Sequence, residues 1–533
     1  MSKDFSPSVA GARAARLFIV AGALAVSACA DSRPVGTVGH VKGFAGLVAA
    51  DEPRAAVAAR DVLSAGGSAA DAAVALYFTL ASTYPSTASL GAGGMCIVHD
   101  KGTKKTEVLD FVSPPLLAEA QTATAVPAAP RGFFALHAKY GRLRWESLLA
   151  EPERTARMGT PVSRALANDI ARGAPLLARD PAAKALFFRR DGSSLREGDM
   201  LLQPELAGVI SRLRHNTGDF YNGQLARELV AGAGRAGAAM TSDDLRDYKP
   251  QWRDSVTVKL ANETAHFAPP PAVGSTVAAQ LVGALWDRWE GASADERPHL
   301  MAEAAAHAFA ERDRWMQPHG WTAEAVPSLA SPERIKAILA GYSADRHSPA
   351  ASAKPPGDAQ AGTGFAVLDS YGGAVACGIT TYGLFGSGRI VPGAGFFLSG
   401  QPGRNGPPAV AAMLTVNPHV HEVHFAAAAS GGVTAPTALA SSFLAAELEG
   451  RKLDQALGAP RVHHNGTPDV AFVEAKIGDA AGLQKRGHQV TAVEMPSRVN
   501  AVRCSSGRRE YSTCSAATDP RGFGLADVVG NKN

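Results

Sequence analysis

The spacing of apolar positions changes character along the chain. Gly43 to Ala50 reads G-F-A-G-L-V-A-A, an almost unbroken apolar run of strand length, and predicts a buried strand. Glu52 to Ala65 carries a helical pattern that stops at Gly66-Gly67, a C-cap signal. Ser68 and Asp71 then form S-x-x-D, a helix-start signal, and the pattern predicts a helix to about Ser82. Gly91 to Gly94 is a glycine loop that feeds M-C-I-V-H. From Arg131 to about Tyr248 apolar residues recur at three and four, as in W-E-S-L-L-A, which predicts mostly helix. Pro269 to Val273 leads into a further helix from about Ser275, and Arg297 to Trp315 reads as helix again. Residues 350–361, A-A-S-A-K-P-P-G-D-A-Q-A, are small, polar and Pro-containing, which marks a linker. Beyond it, F-A-V-L-D and G-A-V-A-C-G-I-T-T-Y predict short strands joined by glycine turns, and an Ala-rich helix is expected from about Ala435. A helix-rich part, 43–349, and a strand-rich part, 362–533, predict an α/β architecture.

Composition narrows the function classes. With 533 residues, 46% hydrophobic and 19% charged, the chain can bury a large core, and length alone sets a prior of about three domains. The net charge is only +4 and Lys and Arg are scattered, so a nucleic-acid surface is not expected. Near the start, Arg13 and Arg16 precede an apolar run from Leu17 to Val26 and then Ser27, Ala28 and Cys29. This order predicts a signal peptide over 1–28, and the run is too short to span a membrane stably. V-S-A-C has the form of a bacterial lipobox, so Cys29 is the expected lipidation site; the alternative is an ordinary signal peptide that ends near a cysteine. Residues 29–42 would tether the chain to the cell envelope, at the periplasmic face of the outer membrane, through the acyl chains on Cys29.

Cys96 and Cys377 lie in apolar stretches and are expected to be buried, unpaired thiols. Cys504 and Cys514 flank a polar insert and either close it as a disulfide in an oxidising compartment or stay free in a loop. The glycine loop at Gly91 has neither a Walker lysine nor G-x-G-x-x-G, so it argues weakly for phosphate binding. Among histidines, His419, His421 and His424 in H-V-H-E-V-H could bind a metal, with His419 and His421 on one strand face, but a third ligand is lacking and a solvated hairpin is expected. His299 and His307 read as helix packing or surface residues, and Cys377 has no acidic or histidine partner beside it to make it a nucleophile.

Several strings carry a family resemblance: G-G-S-A-A-D-A-A-V-A-L at Gly66, Y-G-R-L-R-W-E-S-L-L-A at Tyr140, H-L-M-A-E-A-A-A-H-A-F-A-E-R-D-R at His299, L-F-G-S-G at Leu384, R-V-H-H-N at Arg461 and D-P-R-G at Asp519. In these, from about Gly43 to the C-terminus, the chain resembles the gamma-glutamyltransferases (gamma-glutamyltranspeptidases). The resemblance implies a four-layer αββα sandwich of the N-terminal-nucleophile hydrolase type, and no cofactor. It also implies self-cleavage in the linker, after which the freed N-terminal threonine attacks with its own amine as base. His463 and His464 fall in a family string and are expected to be structural.

Residue by residue, the resemblance breaks at the chemistry. The family's cleavage motif resembles T-T-H-F-S-V-V-D; this chain has G-T-G-F-A-V-L-D, so the nucleophile position falls on Gly362 and Thr363 matches the second threonine. A one-residue shift turns a strand side chain to the opposite face, so Thr363 is either an ordinary strand residue or, if its flanking glycines let the backbone distort, a displaced nucleophile. Val112 stands where the family clamps the glutamyl carboxylate with arginine, and Ala411 and Ala412 where it has a serine pair. The acid for the α-ammonium falls near Gly403 and Arg404, and an asparagine is matched by Tyr382. Thr380 matches a threonine that supports the nucleophile, and Gly431 and Gly432 match an oxyanion-hole pair, or else simply maintain the fold. Two expectations follow. One is an uncleaved lipoprotein that has lost the family reaction and binds a small-molecule or peptide ligand. The other is an active or altered amidohydrolase, self-cleaved at Gly362–Thr363, that uses Thr363.

Overall fold

In the computed structural model the described residues are Met1 and 41–116, 118–350, 361–403, 410–474 and 480–530. Residues 2–40, on which the expected signal, Cys29 and most of the expected tether fall, the linker stretch 351–360 and Arg404 lie outside them. From Val41 onward the chain forms one compact unit.

Thirteen strands make two large antiparallel sheets. In chain order they are β1 (Phe44–Ala50), β2 (Gly93–Asp100), β3 (Lys105–Phe111), β4 (Gln251–Arg253), β5 (Val256–Leu260), β6 (Glu263–Phe267), β7 (Gly362–Asp369), β8 (Ala374–Thr380), β9 (Ala411–Asn417), β10 (Glu422–Ser430), β11 (Arg498–Cys504), β12 (Cys514–Thr518) and β13 (Leu525–Gly530). The first sheet runs β13-β1-β7-β8-β2-β3-β4 and the second β12-β11-β10-β9-β6-β5. The parts before and after the linker are therefore not side by side: β7 and β8 are inserted between β1 and β2, in the middle of the first sheet.

Apolar alternation on these strands builds three cores. Leu47, Ala366, Leu368, Val410, Ala412 and Ala428 meet between the sheets. Val48, Phe365 and Val367 face the first helical layer, which includes Pro53–Ser64 and Ala69–Thr83. Ala411, Ala427 and Val499 face the second, which includes Val273–Trp289, Arg297–Trp315 and Ala435–Glu447. The result is the αββα sandwich. The S-x-x-D signal is a reciprocal capping box on helix Ala69–Thr83, and Asp71 also accepts from the backbone N–H groups of Arg142 and Leu143. Thus one helix start also anchors the turn of the Y-G-R-L motif.

Two sequence expectations are corrected. Cys96 and Cys377 are not free thiols: they face each other across the β2–β8 pair and form a disulfide, alongside the Cys504–Cys514 bond between β11 and β12. Apolar surroundings said that both cysteines would be buried, but the pairing depends on a register between strands 281 residues apart, which no local pattern encodes. His419 and His421 do not share a strand face; they lie in the turn between β9 and β10, while His424 on β10 pairs with Glu263.

Candidate active site

The start of β7 is the centre of the site. Gly362 pairs with Thr380 on β8, and Thr380 Oγ1 donates to Ala361 O at 2.9 Å while accepting from Tyr382 N–H at 3.0 Å. One hydroxyl thus ties the entry to β7 to the exit from β8. On the inter-sheet side, a Cβ at Gly362 would stand 2.8 Å from Val410 Cγ1, 2.9 Å from Ile379 O and 3.9 Å from Ser430 Cβ. The first two separations are shorter than real Cβ contacts. The room that a side chain at 362 would need is taken by Val410, which also lies against Gly378 on β8.

Thr363 has the strand parity of Phe365 and Val367, which face the helices rather than the second sheet. It is fully buried, and its hydroxyl donates to Asp51 Oδ2 at 2.8 Å. Asp51 Oδ1 accepts from Asn500 Nδ2 at 2.8 Å, and the same amide group reaches Gly364 O at 2.7 Å. Thr363, Asp51 and Asn500 therefore form a closed buried network that joins β1, β7 and β11. Sequence reasoning missed Asp51 and Asn500. The only signal was isolated polar residues beside or within otherwise apolar strand patterns, D-E after G-F-A-G-L-V-A-A and the lone Asn in V-N-A-V.

The glycine pair follows Ser430 at the end of β10. Gly431 and Gly432 have φ of 114° and 70°, a region that glycine enters at little cost, and Gly431 passes so close to Ser497 that a Cβ would lie 2.3 Å from its Cα. The turn then opens into helix Ala435–Glu447. Gly362, Thr380, Ser430 and the turn that follows it are thus brought to one place.

The positions matched to the family's substrate-reading residues are apolar or fully buried. Ala411 faces the second helical layer and Ala412 the inter-sheet core; Ser275 Oγ spans to the Ala412 backbone, donating to its carbonyl and accepting from its N–H. Val112 is half-buried just beyond β3, and its N–H donates to Asp110 Oδ1 at 3.0 Å. Burial raises the Asp110 carboxyl, and the Val112 N–H and Arg253, at 3.1 Å, partly offset this. Tyr382 is fully buried with φ of 54°, and burial followed by the charge of Asp110 holds its phenol well above the usual range.

A cavity of about 330 Å³ adjoins this region, lined by Gln121, Thr122, Arg179, Ser387, Arg389 and Gln401 among others. Ser387 belongs to the L-F-G-S-G string, and Gly400, also on the wall, donates its N–H to the carbonyl of Thr381 beside Thr380.

The comparisons with known proteins agree with this architecture. The gamma-glutamyltranspeptidase family model matches residues 55–529. A glutathione hydrolase proenzyme of Pseudomonas aeruginosa is 30% identical over 393 residues, 67% of each chain. One from Escherichia coli K12 is 25% identical over 533 residues, 90% of this chain and 91% of the relative. A cephalosporin acylase crystal structure from Bacillus halodurans superposes with a TM-score of 0.78 over 93% of this chain and 98% of that one, at 22% identity, which speaks for the fold alone. The gamma-glutamyltranspeptidase of Helicobacter pylori superposes with a TM-score of 0.53 at 26% identity, covering 57% of this chain and 93% of that one. With its two stacked antiparallel sheets, its glycine turn after β10 and a family match across nearly its whole described length, the chain belongs to the gamma-glutamyltranspeptidase family.

Proposed function

We propose that this chain has lost the family's nucleophile and acts as a single, uncleaved polypeptide that binds a small-molecule or peptide ligand. The observation that carries this reading is Val410: the family's attacking position is a glycine, and the space for a side chain there is filled. Thr363 is a poor substitute, because its hydroxyl is committed to Asp51 within a buried network. The groups that would read a glutamyl zwitterion are replaced by Val112, Ala411 and Ala412. Each charge-assisted bond lost costs about 1.5–3 kcal/mol, so several losses lower such binding by orders of magnitude.

The ligand is placed in the cavity beside the L-F-G-S-G loop. Among the described residues its wall carries the guanidinium groups of Arg179 and Arg389; Asp180, 3.7 Å from Arg389, partly balances the second, which leaves Arg179 to meet an anionic group of a ligand. The proposed location is the cell envelope, through lipidated Cys29, and the two disulfides support an oxidising compartment.

The experiment is hydrolysis of a chromogenic gamma-glutamyl anilide by the full chain, beside Thr363→Ala. The expected result is no release above background from either. Release that disappears in Thr363→Ala would overturn the reading in favour of a threonine amidohydrolase matured at Gly362–Thr363. Release that survives the substitution would place a nucleophile elsewhere and overturn it equally.

A further inference from the structure

A second cluster of chemistry lies outside the site already described. His299, Glu303 and His307 are spaced four apart on helix Arg297–Trp315 and so share one face. His347 comes from the segment just before the linker, and His464, Asp469 and His488 come from the loops of a small sheet formed by Val462–His463, Ala471–Glu474 and Val490–Val493. His299, Glu303, His464 and His488 are all buried. The ligating atoms of His299, Glu303 and His488 lie within 4.8 Å of one another.

The hydrogen bonds decide which nitrogens can ligate. His299 Nε2 is 2.9 Å from Ser343 O, a carbonyl that can only accept, so Nε2 carries the proton and Nδ1 presents a lone pair. That lone pair points at His488 Nε2, 2.7 Å away, which is itself 3.5 Å from Glu303 Oε1. His347 Nδ1 contacts the same Glu303 oxygen, and its Nε2 lies 3.0 Å from Asp469 Oδ1. Glu303 is further oriented by the N–H of Ser348. His464 Nδ1 accepts from Gly466 N–H at 3.0 Å, so its proton sits on Nε2, 3.2 Å from Asp469; His464 also lies in a second group with His347 and His488.

We propose that His299 Nδ1, His488 Nε2, His347 Nδ1 and Glu303 form a binding site for a divalent transition metal of the zinc class. Imidazole nitrogens and a carboxylate oxygen are donors that zinc accepts, and three of the four, from His299, Glu303 and His488, already lie within 4.8 Å of one another. One feature goes beyond mere proximity. The outer nitrogens of His299 and His347 already face an oxygen acceptor, a backbone carbonyl and a carboxylate respectively, as metal-ligating histidines do. The mechanical effect of the ion would be to fasten the segment that enters the linker to the second helical layer and to the C-terminal part.

The test is metal content of the full chain after stripping with chelator, loading with zinc and desalting, repeated with cobalt as a spectroscopic probe. The expected result is about one zinc retained per chain and a visible cobalt band of tetrahedral nitrogen/oxygen type, both lost in Glu303→Gln and His488→Ala. His419→Ala/His421→Ala should retain the metal, because that exposed turn lies outside the set. Failure of the unsubstituted chain to retain zinc overturns the proposal whether or not the variants fold. Equal retention in Glu303→Gln or His488→Ala, checked for native circular dichroism, overturns it too.

Discussion

At the scale of single residues, the account depends on which side chains compete for the space in front of β7. Gly362→Thr restores the family's residue but drives its Cβ to 2.8 Å from Val410 Cγ1 and 2.9 Å from Ile379 O. Overpacking of this kind costs roughly 1–3 kcal/mol, so urea unfolding should show a lower midpoint for Gly362→Thr, partly recovered in Gly362→Thr/Val410→Ala. Asn500→Ala leaves Asp51 Oδ1 buried without its donor, and the same measurement should show a loss of about 1–3 kcal/mol. Asp369, at the far end of β7, gives a pH signature. Burial raises its carboxyl from 3.8 to about 6 despite the backbone N–H groups of Ala69, Tyr371 and Gly373. A raised carboxyl binds its proton more tightly folded than unfolded, so its contribution to stability is full below 3.8 and declines as pH rises through about 6. Stability measured from pH 4 to 7 should fall less steeply in Asp369→Asn.

At the scale of elements, local patterns were legible where local chemistry decides. Phe44–Ala50, Ala69–Thr83, Arg297–Trp315 and Ala435–Glu447 form where an apolar run or a helical period with a start signal stood in the sequence. Helix Val273–Trp289 begins two residues ahead of the expected Ser275, at the end of the Pro-rich lead-in. The capping box can be tested directly: Ser68→Ala should cost about 1 kcal/mol in unfolding free energy, and Asp71→Ala more, because Asp71 also holds the N–H groups of Arg142 and Leu143. The site was only half legible. Gly362 and the odd parity of Thr363 could be seen in the strand pattern, because a period of two assigns faces. The valine in front of Gly362, the Asp51–Asn500 partners and the histidine cluster could not, since each joins segments far apart in sequence through tertiary register.

At the scale of the whole molecule, the two parts of the chain are interleaved and covalently joined. The Cys96–Cys377 bond links β2, before the linker, to β8, after it, so a cut in the linker would leave both pieces attached until the bond is reduced. Cys96→Ser/Cys377→Ser should lower stability by roughly 2–5 kcal/mol in denaturant unfolding. The same bond dictates how processing must be examined. The most direct test of the central claim is the intact mass of mature chain after reduction under denaturing conditions. The account predicts one polypeptide that runs unbroken through Gly362 and Thr363. Two polypeptides, the second beginning at Thr363, would contradict it.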